Sequence, residues 1–271
     1  EENREVVSAV LPLLCEIGKT LSAEDHSRHV APALLPLFTM NDRAVRMQLL
    51  QRVDEVVMHM SEATVNGQVF EPLLTGFADT AKVLRELTLK SMLCLADKLN
   101  ERNLNDKLVR ALARLQADPE PSIRTNTTIF YGRIAAKLKD SNRIRTIVPA
   151  FLKALKDPFP HARLAGIRAT GSCKSYFDAP LITTKILPTV CQLLLDPFGP
   201  VREAALECVQ KLLEVVQVRA GEMAVEEAER NRLAKEAAEK EARENPRPVG
   251  DASGAAGGVG GDGPASAMPS R

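Results

Sequence analysis

The sequence predicts an all-α fold, an α-solenoid of stacked helix pairs that repeats every 39 residues. Arginines recur at this interval, and an aspartate stands six residues before four of them. The apolar content is mainly Leu, Ala, Val and Ile, with 4% aromatic residues and no Trp. This composition is typical of repeat arrays in which each unit needs only a local core. The recurring residues are Arg46, Arg85, Arg124, Arg163 and Arg202, with Asp79, Asp118, Asp157 and Asp196 before the last four.

Each predicted unit consists of a first helix, a short turn and a second helix. The second helix is clearest in the last unit, where apolar residues follow the i, i+3, i+4, i+7 pattern of one helical face. These residues are Val201, Ala204, Ala205, Cys208, Val209, Leu212, Leu213 and Val216. The first helices carry a proline in their early part, where a missing N–H costs little, at Pro32, Pro72, Pro149 and Pro188.

The turns are marked by Asp-Pro steps at 118–119, 157–158 and 196–197. Proline ends the first helix, and the aspartate side chain can fold the turn. The arginine then lies in the first helical turn, where the helix dipole disfavours a cation by up to about 1 kcal/mol. We therefore expect each arginine to bond the turn aspartate of its own or a neighbouring unit, forming a ladder along the stack. A row of arginines that binds phosphate groups is the functional alternative.

The period and the two-helix unit are typical of HEAT repeats, whose faces are buried only by stacking. Residues 1–218 are predicted to form this solenoid, and residues 1–22 to be the second helix of a truncated unit. Five full units are expected at about 29–60, 66–100, 103–139, 143–178 and 181–218.

The composition changes after the last unit. Residues 219–245 are rich in Ala, Glu, Lys and Arg and are predicted to form a solvated helix with pairs such as Glu236 and Lys240. A coiled coil is the alternative for this segment, although it lacks most of an apolar seam. Residues 246–271 are rich in Gly, Ala, Pro and Ser and are expected to be disordered.

No constellation of residues indicates an enzyme, a cofactor or a metal site. The four histidines are scattered, and no nucleophile arrangement or kinase signature is present. Asn126 is expected to make a polar contact between helices. The Asp-Pro-Phe steps at 157–159 and 196–198 match peptides bound by clathrin-adaptor appendages, but their spacing of one repeat favours a structural role. A net charge of +1 gives no overall preference for nucleic acid or anionic lipid.

Several runs in the repeat region, in this order and spacing, resemble the SCY-like pseudokinases. They are Leu-Ser-Ala-Glu-Asp at 21–25, Arg-Leu-Gln-Ala at 114–117, Ile-Arg-Thr-Asn-Thr-Thr at 123–128, Lys-Asp-Pro-Phe at 156–159 and Lys-Ile-Leu-Pro at 185–188. The resemblance covers residues 6–218. Members of this family carry a degenerate kinase domain ahead of such repeats, so the resemblance implies that this chain is a fragment.

The resemblance implies a cytoplasmic, non-catalytic scaffold that lies peripherally at the Golgi and at ER–Golgi membranes. Its expected partners are coat proteins of the COPI type, adaptor proteins and small GTPases, and self-association is left open. The alternative function is a tRNA-binding adaptor in nuclear tRNA export. That alternative predicts a basic edge on the solenoid, for which Arg143, Arg145, Lys153 and Lys156 are the residues to examine.

Overall fold

The computed structural model describes residues 2–40 and 42–244, and every regular element in these ranges is helical. Eleven helical segments follow one another in the described residues. Their bounds are α1 Glu2–Thr20, α2 23–39, α3 43–57, α4 62–78, α5 Lys82–Leu95, α6 101–115, α7 121–137, α8 Asp140–Leu155, α9 160–176, α10 179–195 and α11 Gly199–Glu244. The all-α solenoid predicted from the 39-residue period is confirmed.

Helices α2 to α11 alternate as first and second helices along the chain. Contacts pair α2 with α3, α4 with α5, α6 with α7 and α8 with α9, and α1 packs against α3 as a second helix would. The first helices begin earlier than predicted in the first two pairs, at residue 23 instead of 29 and at residue 62 instead of 66. Both starts are set by serine caps, because Ser22 Oγ accepts the Asp25 amide at 3.1 Å and Ser61 Oγ accepts the Thr64 amide at 3.1 Å.

The first helices of four pairs contain a π-helical stretch near their start. These stretches are His26–Val30, Val65–Val69, Asn103–Leu108 and Ile182–Ile186. In three of them a proline follows within three residues, and these prolines (Pro32, Pro72 and Pro188) lie near the middle of helices 23–39, 62–78 and 179–195, not in the early part as predicted. The corresponding part of α8 is a regular α-helix.

The core runs through the stack, with buried side chains from every helix pair. Its largest fully buried residues include Tyr131, Phe70, Phe130 and Phe151. The hydroxyl of Tyr131 donates to the carbonyl of Val109 at 3.1 Å, which satisfies its polar end. The apolar face predicted for the last unit is buried at Val201, Ala205, Cys208 and Leu212, whereas Leu213 is exposed because it lies beyond the edge of that face.

The chain divides into two units after Ala220, and the described part of the second unit is residues 221–244. In the second unit, α11 continues to Glu244, and every side chain described from 221 to 244 is exposed. The predicted pair of Glu236 with Lys240 is replaced by Arg232 with Glu236 at 3.8 Å and Lys240 with Glu244 at 3.9 Å. The predicted disorder of residues 246–271 falls outside the described residues.

Two further features of the first unit bear on binding. Helix α1 carries four exposed aliphatic residues on one face, Val6, Val10, Leu13 and Ile17.

None of the helices in the described ranges combines the length and hydrophobicity needed to cross a membrane.

Candidate protein-binding surface

The recurring arginines and aspartates meet between successive units. Arg85 donates from Nε and Nη2 to the carboxylate of Asp118 at 2.8 and 2.9 Å. Arg124 does the same to Asp157 at 2.7 and 2.9 Å, and Arg163 to Asp196 at 2.6 and 2.9 Å. Each arginine therefore reaches the aspartate that lies 33 residues ahead, in the turn of the following unit. Two-point bonds of this kind fix orientation as well as distance.

The same side chains also organise the turns from which they arise. Arg124 Nη1 donates to the carbonyls of Asp118 and Pro119, at 2.9 and 3.2 Å. The Oδ1 atom of Asp157 accepts the amide of Phe159 at 2.9 Å. An arginine in this position therefore joins two successive turns, with its own turn held by Nη1 and the next turn held by Nε and Nη2.

The ladder is shorter than five rungs, which corrects the expectation for its two ends. Arg46 does not bond Asp79, because its guanidinium donates instead to the carbonyl of Pro72 and the hydroxyl of Thr75. The Asp79 carboxylate instead forms an ion pair with Arg43, at 3.6 Å. At the other end, Arg202 bonds the carbonyls of Asp196 and Pro197 in its own turn, at 2.7 and 3.2 Å.

The carboxylates of Asp157 and Asp196, each bound by an arginine of the preceding unit, are held in their charged form. Burial raises the pKa of Asp157, but hydrogen bonds from Arg124 and from the Phe159 amide outweigh it and hold the pKa below its ordinary value. Hydrogen bonds from Arg163 lower the pKa of Asp196 despite its burial. These side chains are 4–15% exposed, so water screens the ion pairs only weakly. The geometry is that of a structural joint, because the forks of Arg85, Arg124 and Arg163 are occupied by aspartates and are not open to a phosphate.

The Asp-Pro-Phe steps belong to the same joints. In both steps the aspartate is bound by the arginine of the preceding unit, and the phenylalanine is partly buried. The ring of His161 packs between Phe159 and Phe198, at centroid distances of 5.2 and 5.5 Å. An adaptor appendage would have to pull these residues out of the stack, so the geometry favours the structural role over the peptide-ligand alternative.

An open apolar groove lies between the second helices α5 and α7. It has a volume of about 570 Å³ and runs along α5 from Val83 to Cys94. Val83 is 49% exposed and Ile129, on the opposite wall, is 39% exposed. Leu87, Leu93 and Phe130 complete the apolar lining. Large aliphatic side chains that remain open to solvent in a row are typical of a protein-binding surface.

A second groove of about 500 Å³ continues this surface between α7 and α9. It shares Ile129 and Arg133 with the first groove and adds Leu164 and Arg168. We call the two together the second-helix groove. Its charged lining is Lys90, Arg133, Arg168 and a single acid, Glu86. The three cations are exposed and form no ion pair with the described residues, although Arg168 lies within electrostatic range of Glu207.

Asn126 is the one predicted site residue that lines this groove. Its Nδ2 atom reaches Glu86 Oε1 at 3.5 Å, which places a polar contact between α7 and α5. The other groove residues were missed, because the repeat was aligned on its buried face alone. The period would have found them, since Lys90, Ile129 and Arg168 occupy the same position in three successive units.

Of the four basic residues suggested for nucleic-acid binding, three are free to contact a ligand and one is used by the fold. Arg143 is committed to the fold, because it donates to the carbonyls of Ala135 and Leu138, both at 2.8 Å, and lies 4.4 Å from the ring centre of Tyr176. Arg145, Lys153 and Lys156 are exposed. Nearby cations are already paired, because Lys107 of α6 pairs with Glu71 and Lys139, just before α8, pairs with Glu101.

Two histidines described as scattered in the sequence meet in the fold. The rings of His26 and His59 lie 5.4 Å apart, and His26 is 1% exposed. Burial, together with the charge of Lys98 and the proximity of His59, lowers the pKa of His26. Lys98 itself donates to the carbonyls of Val57, Met58 and Met60 at 2.7–2.8 Å and so caps the end of α3. The described residues contain no group of three or more metal-ligating side chains.

Comparison with known proteins places this architecture among the HEAT-repeat solenoids. The HEAT repeat model matches residues 186–216, which cover most of α10 and the start of α11. The crystal structure of Cex1p superposes with a TM-score of 0.65 at 29% identity, over 78% of this chain and 45% of that chain.

Two curated relatives then identify the family. The probable inactive serine/threonine-protein kinase scy1 of Dictyostelium discoideum is 35% identical over 208 residues, and the protein kinase domain-containing protein ppk3 of Schizosaccharomyces pombe is 35% identical over 215 residues. These alignments cover 77% and 78% of this chain but 25% and 33% of the relatives. The chain belongs to the SCY-like pseudokinase family through its HEAT-repeat region, and it spans a third or less of the curated relatives it matches.

Proposed function

We propose that the chain is a non-catalytic scaffold that binds other proteins through the second-helix groove. The observation that carries this function is the row of aliphatic side chains along the groove, where Val83 and Ile129 are exposed and Leu164 is half-buried, beside exposed cations that form no ion pair with the described residues. Solenoids offer such surfaces because each unit repeats the same face toward a partner. The name of the Dictyostelium relative, an inactive kinase, supports the absence of catalysis.

The setting that we propose for this scaffold is retrograde traffic from the Golgi to the ER, with the protein lying peripherally on the cytoplasmic face of these membranes. The partners would be COPI-type coat proteins, adaptor proteins or small GTPases. The support is the family relationship together with a helical solenoid that carries an exposed apolar groove. The finer identity of the partner rests on the family resemblance alone.

The test uses purified coatomer and purified small GTPases of the coat cycle, each passed over the immobilised full chain. We expect one of them to bind with a dissociation constant in the micromolar range or tighter, and fluorescently tagged chain to concentrate at the Golgi in cells. Binding of none of these proteins together with a diffuse cellular distribution would refute the proposal.

The second candidate function, tRNA binding, is favoured by one observation. Arg145 and Lys153 are exposed on α8, and the exposed Lys156 directly follows the end of that helix. The log of a tRNA binding constant should then fall steeply with the log of the salt concentration, and a triple substitution to Ala should reduce that slope by up to about three. A salt-independent interaction, or no measurable binding at 50 mM salt, removes this candidate.

A further inference from the structure

The second-helix groove has a shape that selects one kind of partner. Its first part lies between two neighbouring helices and extends over the eleven steps from Val83 to Cys94. At 1.5 Å per residue this is about 16 Å, the length of about three helical turns. A groove between parallel ridges of side chains receives the apolar ridge of a third helix. Helices held in this way anchor residues at i, i+3 or i+4, and i+7.

The charges around the groove select the flanks of that helix. Lys90 and Arg133 line the first part, and Arg168 lines its continuation. The only acid in the lining, Glu86, already accepts the bond from Asn126. A partner with basic flanks would place like charges together, whereas carboxylates beside its apolar ridge would meet exposed cations that form no ion pair with the described residues.

From the shape and the charge together, we infer that the groove binds a short amphipathic helix whose apolar ridge lies against Val83, Leu87 and Ile129 and whose flanks carry Asp or Glu. The inference rests on the proposed scaffold function, and it names the chemistry of the segment that the scaffold holds. A second copy of this chain is a competing occupant, and the experiment below separates the two.

The experiment selects binders from a phage-displayed library of random 14-residue peptides on the immobilised full chain, in 100 mM salt. Enriched peptides are expected to share apolar residues at i, i+3 or i+4, and i+7 and to carry a net negative charge. Their affinity is measured by fluorescence anisotropy with labelled synthetic peptides. An enriched set that is neutral or basic, or a failure to enrich any peptide, overturns the inference.

Substitutions then locate the binding site. Ile129→Asp should weaken the selected peptides at least about tenfold, because it places a carboxylate at the centre of the apolar ridge. Arg133→Glu combined with Arg168→Glu should weaken them about three- to tenfold, with the effect shrinking in 500 mM salt. Leu206→Asp is the matched control, since Leu206 is a 54% exposed aliphatic residue on α11 that does not line the groove. Equal affinity for Ile129→Asp and Leu206→Asp contradicts the inference.

The failure of this inference can be distinguished from the failure of the proposed function. If coatomer or a small GTPase binds the wild type and Ile129→Asp equally well, the scaffold function stands and the groove is not its site. If sedimentation velocity shows that Ile129→Asp converts a dimer into a monomer, and the selected peptides do the same, the occupant is a second copy of the chain. Circular dichroism melting of every variant confirms that the fold is retained.

Discussion

At the scale of single residues, the joint between two units depends on one bidentate pair. Arg124→Ala should lower the free energy of unfolding by about 2–3 kcal/mol, because Asp157 would be left partly buried without the two guanidinium bonds that balance its charge. Urea unfolding followed by circular dichroism measures this change. Lys153→Ala is the control, and it should change stability by less than about 0.5 kcal/mol because Lys153 is exposed. Equal stabilities of the two variants would mean that the joint contributes nothing.

The carboxylates of Asp157 and Asp196 should also make the free energy of unfolding decrease at acid pH. Their pKa values are lowered by folding, so the unfolded chain binds protons more readily, and stability falls as pH drops below the ordinary value of 3.8. Unfolding curves between pH 6 and pH 2.5 should therefore show a loss that begins near pH 4. The double substitution Asp157→Asn, Asp196→Asn should flatten that part of the profile, and an unchanged slope would contradict the assignment.

His26 predicts a second, milder pH dependence nearer to neutrality. Its pKa is lowered by burial and by the proximity of His59 and Lys98, so the unfolded chain takes up a proton below its ordinary pKa of 6.5 while the folded chain resists it. Stability should then fall with decreasing pH from about 6.5, by at most about 1.4 kcal/mol per pH unit. His26→Leu should remove this slope, whereas His161→Gln, at an exposed position, should leave it in place.

At the scale of the helices, close packing limits the residues that can occupy the contact faces. Gly166 of α9 faces α8, and a Cβ atom there would lie 3.0 Å from Ala154 Cβ and 3.2 Å from the Leu155 amide nitrogen. Gly166→Ala should therefore destabilise the protein by about 1–3 kcal/mol, although alanine favours helix formation. Thermal melting measures the change.

Gly67 supplies the matched control for this substitution. It lies in helix α4, where a Cβ atom would meet no neighbour within 4 Å. Gly67→Ala should stabilise the protein by up to about 1 kcal/mol through helix propensity alone. We predict that the two glycine substitutions change the free energy of unfolding in opposite directions. A change in the same direction would show that packing between α8 and α9 is not tight.

At the scale of the whole molecule, the aliphatic face of α1 predicts self-association. Val6, Val10, Leu13 and Ile17 are 40–61% exposed and follow helical spacing on one side. Sedimentation velocity should show a concentration-dependent dimer that Leu13→Glu with Ile17→Glu shifts toward monomer. Met58→Glu, at a position 46% exposed outside this face, is the control. A wild type that stays monomeric up to 100 µM would contradict the prediction.

Much of this architecture could be predicted from the sequence, because the repeat carries its own register. The arginine spacing set the period, and the apolar spacing in α11 set the buried face. The direction of the arginine bonds could not be predicted, because an aspartate of either the same or the next unit satisfied the pattern. The structure resolves the direction for Arg85, Arg124 and Arg163, since Nη1 of each is occupied by carbonyls of its own turn and Nε and Nη2 reach the forward aspartate.

The groove was harder to predict for a different physical reason. Burial selects strongly for apolar residues at core positions, so a shared pattern is visible there. The exposed face carries Lys90, Ile129 and Arg168 at one repeat position, and this mixture shows no shared chemistry in the sequence. Only their placement on adjacent helices joins them into one surface, and that requires the stacking of the units.

The joint that recurs from α5 to α11 also bears on how such a chain can change in length. An arginine near the start of a second helix requires only an aspartate 33 residues ahead, and three successive units satisfy this requirement. Removal of residues 86–124 would bring Arg85 to the position that Arg124 holds opposite Asp157. A gene duplication or deletion of one whole 39-residue period therefore preserves the arginine–aspartate pair between every two successive units. Only the terminal units need different contacts, as Arg46 and Arg202 have.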